Sequence, residues 1–174
     1  MKFFLSDLLE YSRFYILAFA ILVLVIGHTI NGQWAGDFWE HSAVVRELTS
    51  HPFSPKHPQL AVDAPHAFFS PYTLVVALTA RSMKWDPVTA LSVFGITNFL
   101  LLLAGLRLFI STLFPKNRSA TLFYSLLFIT MLWGKDAWEY SGFFHLKVLG
   151  YVLPYPSTFS MALTFITLPI YMLF

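Results

Sequence analysis

Apolar and polar residues fall along this chain in long blocks. The first apolar run occupies about residues 14–30 and closes at Asn31-Gly32, a helix-stop pair. A second, 87–114, is opened by Asp86 as N-cap and Pro87 in the first turn. A third, 119–134, follows the break PKNR. A fourth, 157–174, carries Pro169, which is expected to kink it. Runs of this kind approach the roughly 20 residues that a membrane-crossing helix needs. The run 70–84, SPYTLVVALTARSMK, starts with Ser70 as N-cap and Pro71 in the first turn. Its apolar part is only about a dozen residues, so length favours a half-helix over a fifth span. Asn98, well inside the second run, is expected to bond a neighbouring helix, and Arg107 to snorkel toward the nearer end.

Composition agrees with a membrane class. Of 174 residues, 57% are hydrophobic and 11% charged, where a soluble domain carries about 25% charged residues. The expectation is an all-α, polytopic helical membrane protein. It would have about four full spans, a surface amphipathic helix and the short half-helix, in one transmembrane domain covering 1–174. There is no Cys, so disulfides and thiolate metal sites are excluded, and a net charge of +2 gives no reason to expect nucleic acid. The N-terminal LSDLLEYSR is acidic and amphipathic, unlike the basic start of a signal peptide, and no small-x-small cleavage site follows the first run. A retained first span with a cytoplasmic N-terminus is expected, in a plasma or inner membrane. Lys and Arg divide almost evenly between the two sides in either topology, so they do not decide whether 70–84 crosses. With a half-helix there, the polar segments 31–86 and 135–156 share the outer face.

The first of these segments holds GDFWEHSAVVRELTSHPFSPKHP. From Asp37 to Thr49 the spacing is helical: Phe38, Val45 and Leu48 fall on one side, with Glu40 and Glu47 away from them. This predicts a short helix resting on the bilayer surface. Gly36-Asp37 followed by Glu40 fits an Asp N-cap with Glu at N3. The same Asp37, beside Phe38 and Trp39, also suits a general base. Asp37, Glu40 and His41 supply ligand types at helical spacing, which keeps a divalent metal open as an alternative. No HExxH or comparable motif supports it, so no metal or other cofactor is expected. No histidine sits mid-span, so haem between helices is not expected. The second segment, KDAWEYSGFFHLKVLGYVLPYPS, places Asp136, Glu139, His145 and Lys147 among aromatic rings. It reads either as an interfacial aromatic belt or as a sugar and lipid-phosphate site.

The order of these parts carries a resemblance. A first span leads to an outer segment with an early acid, GDFWEH. HPFSPKHP and a Pro-led half-helix follow, then a span ending near basic residues, then a span delivering a second acidic loop. This resembles the N-terminal part of the GT-C superfamily of glycosyltransferases, which includes protein O-mannosyltransferases, lipid A aminoarabinose transferases and oligosaccharyltransferase catalytic subunits. The resemblance implies transfer of a sugar from a polyprenyl-phosphate donor to an acceptor hydroxyl at the outer face. Asp37 would be the general base, Glu40 its neighbouring acid, and Asp136 or Glu139 the second-loop acid. Lys56, His57, His145, Lys147 and Trp39 would bind the donor. Asp37 stands alone, with Glu three residues on, where mannosyltransferases have an adjacent Asp-Glu pair. Members are several times this long, and the chain ends at Phe174 within an apolar run. A truncated N-terminal fragment, completed by the rest of a longer polypeptide or a partner membrane subunit, is therefore expected. The competing reading is a transporter or assembly subunit whose surface helix only anchors it.

Overall fold

The computed structural model describes residues 9–32, 34, 36–62, 64, 69–131 and 144–172. Asp136 and Glu139, and with them the expected second-loop acid, lie outside the described residues. Every regular element among the described residues is helical: α1 (Ser12–Asn31), α2 (Phe38–Ser50), α3 (Pro71–Met83), α4 (Pro87–Leu113), α5 (Arg118–Met131), the single turn α6 (Leu149–Val152) and α7 (Pro156–Met172).

Two of them, α1 and α4, are long and apolar enough to cross a membrane, with 20 and 27 residues. α1 stops as expected, with Gly32 in the left-handed region (φ 63°) donating its N–H to the Thr29 carbonyl. α4 starts as expected: an Asp86 carboxylate oxygen accepts from the backbone N–H of Val88 and of Thr89, both at 3.0 Å. Among the described residues α5 has 14 residues and α7 has 17.

The long helices lie side by side. Arg107 of α4 stands over the Tyr11 ring at the start of α1 (4.9 Å), and Arg118 at the start of α5 pairs with Glu10. α1 and α5 therefore run opposite to α4. α7 runs parallel to α4, because Gly95 meets Pro154 while Gly105 meets Ala162 and Phe165. The α4–α7 contact is the most extensive between helices among the described residues. Gly105 makes it possible, since a Cβ there would lie 2.9 Å from the Ala162 carbonyl oxygen.

α3 folds back against the first part of α4 through a tight turn, in which the Trp85 N–H reaches the Ala80 carbonyl at 2.9 Å. Its other end stops beside Asn98. Asn98 Nδ2 donates to the Tyr72 hydroxyl and to the Leu153 carbonyl, both at 2.8 Å, and the Tyr72 hydroxyl donates to the Pro154 carbonyl at 2.9 Å. The expected interhelical bond of Asn98 is thus formed. α3 covers less than half of α4, and a Ser70–Thr73 capping box completes its start.

α2 has the apolar face read from its spacing: Phe38, Val45 and Leu48 are all 0% exposed. That face is covered by α3 and the first turns of α4. Periodicity shows that a face will be buried, and tertiary packing decides what buries it. Burial of each such side chain contributes about 1.5–3 kcal/mol. Two cores result. One gathers α1, α4, α5, α6 and α7, and the other gathers α2, α3 and the first turns of α4; Tyr151 and Tyr155 pack against both.

Candidate functional site

Five of the sequence-derived site residues, Asp37, Trp39, Glu40, His145 and Lys147, divide between two neighbouring places at the end of the bundle where α1 stops and α4 starts. The first is the head of α2. Asp37 occupies the N-cap position but has helical dihedrals (φ −64°, ψ −10°), and its side chain makes no capping bond. The expected capping box is absent because a cap needs extended backbone to swing its carboxylate over the first-turn N–H groups. Asp37 is exposed, and so is Glu40. The ring enclosure expected around Asp37 is not formed, because Phe38 turns into the core while Trp39 stays 54% exposed.

His41, one turn on from Asp37, lies with its ring 4.4 Å from that of Tyr155. Burial holds its proton affinity below the ordinary histidine value, against the opposing pull of Asp37 and Glu40. Burial, with the same two carboxylates and Tyr151, pushes the Tyr155 hydroxyl up to about 12. Tyr155 is therefore a neutral phenol at physiological pH. Among the described residues no three His, Asp or Glu side chains form a metal-sized group, so Asp37, Glu40 and His41 do not converge as ligands.

The second place is a cavity of about 480 Å³ between α1, the end of α5, the 144–148 turn and α6. Leu24, Val25 and Leu149 give it an apolar wall, and His28, His145 and Lys147 give it polar groups. The Lys147 backbone N–H donates to His145 Nδ1 at 3.1 Å. A neutral His145 then carries its proton on Nε2, where it can donate. His28 meets the cavity from α1, and its Nε2 is buried without a hydrogen-bond partner among the described residues. A polar atom left in that condition is rare and costly. Gly150 is what admits the His28 ring, since a Cβ there would collide with it.

An aromatic seam joins the two places. His28 lies edge-on to Trp34 (5.3 Å) and to Tyr151 (5.1 Å), and Trp34 stacks on Phe38 at 4.0 Å. Tyr151 and Tyr155 sit one turn apart and lead back to His41.

Lys56 and His57 lie elsewhere. The Lys56 N–H donates to Glu47 Oε1 (2.9 Å), and His57 Nδ1 accepts from the Gln59 N–H (3.2 Å). Glu47 is ten residues beyond Asp37, about 15 Å along α2. These two are therefore set apart from Asp37 by most of a helix. The sequence reading assigned no role to His28, Trp34 or Gly150. The lone Gly in LKVLGYV was the available signal, as a mark of close approach.

The chain matches no protein-family model, no curated protein and no solved structure.

Proposed function

We propose that this chain is a membrane-embedded glycosyltransferase module, resembling the GT-C group, that uses a polyprenyl-phosphate sugar at the outer face. The observation that carries the reading is the pairing of an amphiphilic cavity with a carboxylate-bearing helix head across one aromatic seam. The cavity's apolar wall suits the first isoprenoid units. Lys147 and His145 Nε2–H suit the donor phosphate as charged and neutral hydrogen-bond donors. The rings of Trp34, Tyr151 and Tyr155 suit a pyranose lying between. Asp37 takes the proton from the acceptor hydroxyl, whose oxygen bonds to the anomeric carbon. The carbon–oxygen bond to the phosphate breaks, and its electron pair leaves on the phosphate, steadied by Lys147. Inversion is the simplest outcome. Glu40 keeps the local charge negative, and Asp136 or Glu139 supplies the second acid. In this reading α1, α4, α5 and α7 are the four spans, multi-pass, in a plasma or inner membrane with the N-terminus cytoplasmic.

The test is transfer from a polyprenyl-phosphate sugar by the intact protein with Asp37→Asn or Asp37→Ala. Because Asp37 makes no capping bond, both variants should keep wild-type stability to within about 0.5 kcal/mol. Transfer should fall about a hundredfold or more in both, the usual scale for losing a general base. Near-normal transfer by Asp37→Asn would remove Asp37 from the mechanism.

A further inference from the structure

The opposite end of the bundle carries a different chemistry. Two cavities there share Arg118. One, of about 480 Å³, is lined by Glu10, Arg13, Lys116 and Arg118 among others. The other places Arg107 beside Tyr11 and Arg118. Four basic residues thus meet one carboxylate among the described lining residues. Glu10 engages Arg118 through Nε (2.8 Å) and Nη2 (2.9 Å). α5 begins at Arg118, so its first-turn N–H groups lie at the same rim.

The basic cavity runs directly into an apolar one. Asn117, Ala120 and Tyr124 line both it and a groove of about 660 Å³ between α4, α5 and α7. The groove continues past Ser125 to Phe128 and Ile129, with Phe109 and Phe165 opposite. From Asn117 to Ile129 it follows about 18 Å of helix. A cationic mouth opening into a long apolar groove has the shape and charge of one ligand class, a lipid with an anionic headgroup.

We propose that this end binds an anionic glycerophospholipid, its phosphate at Arg13, Lys116 and Arg118 and one acyl chain along the α4–α5–α7 groove. A free phosphate has no use for the groove, and an uncharged lipid has none for the cations. The site is remote from the candidate transferase centre and does not depend on that assignment.

The experiment is native mass spectrometry of the detergent-solubilised chain titrated with phosphatidylglycerol, phosphatidylcholine and glycerol-1-phosphate. Phosphatidylglycerol should bind more tightly than phosphatidylcholine. The double variant Arg13→Gln, Lys116→Gln should weaken phosphatidylglycerol about 25-fold, or about fivefold for each basic residue removed. Both positions are exposed, and unchanged circular dichroism verifies the fold. Ser125→Trp, which fills the groove, should weaken phosphatidylglycerol. Equal binding of the two lipids, or full retention by the double variant, would overturn the proposal. So would displacement of the lipid by an equal concentration of glycerol-1-phosphate. A cysteine at Phe128 that cross-links to a second copy, with lipid binding unaffected, would assign the groove to self-association and overturn the proposal as well.

Discussion

At the scale of single residues, the site is organised by what surrounds each polar group. His41 shows this most clearly. Its burial against Tyr155 disfavours the imidazolium, while Asp37 and Glu40 favour it, and burial prevails. A histidine whose folded proton affinity is lowered binds its proton more readily when unfolded. Its contribution to stability is therefore complete above the ordinary value of 6.5 and is lost as pH falls below it. Thermal melts of the wild type should decline between pH 7 and pH 5 more steeply than those of His41→Gln. Parallel curves would mean that His41 is as accessible to protons in the fold as outside it. Asp37 and His41 were legible as neighbours because helical spacing alone sets their row. His28 was not, because its importance comes from Gly150 and Tyr151, which lie more than 120 residues away in sequence.

At the scale of elements, starts and stops were the most legible features. Asp86-Pro87 and Asn31-Gly32 are local chemistry, and each acts where it stands. The face of α2 was legible too, but its cover was not, since a hydrophobic face carries no record of its partner. The closeness of α4 and α7 rests on Gly105, an isolated glycine in an apolar run whose meaning depends on the far strand of chain at Ala162. Gly105→Val should force the two helices apart and cost about 1–3 kcal/mol, measured by the loss in thermal stability. Gly27→Ala is the control, because nothing lies within 4 Å of a Cβ there. It should be neutral or slightly stabilising. Equal behaviour of the two variants would show that the α4–α7 contact has room to spare.

At the scale of the whole molecule, the proposed topology turns on α3. It begins beside Asn98 and ends at the turn into α4, so both of its ends belong to the half of α4 that also packs α2. With the chain in sealed vesicles, cysteines at Ser50 and Ser82 should react with an impermeant thiol reagent from the same side. A cysteine at Lys116 should react only from the other side. Opposite labelling of Ser50 and Ser82 would make α3 a crossing helix and dissolve the shared face. The limits of α3 were legible at Ser70-Pro71 and at Lys84, and the labelling decides whether it crosses. The length of α4 has a consequence of its own. At 27 residues it measures about 40 Å, against about 30 Å of hydrocarbon in a typical bilayer. In the proposed membrane reading, the excess of about two turns is assigned to the end bearing Ala90 and Leu91, on which α2 is seated. The elevation of Asp37 above the lipid would then be a matter of bilayer thickness. On the proposed reading, longer acyl chains would draw the carboxylate down toward the headgroups and shorter ones would lift it clear, which would make lipid length a control on the proposed transfer that no side chain encodes.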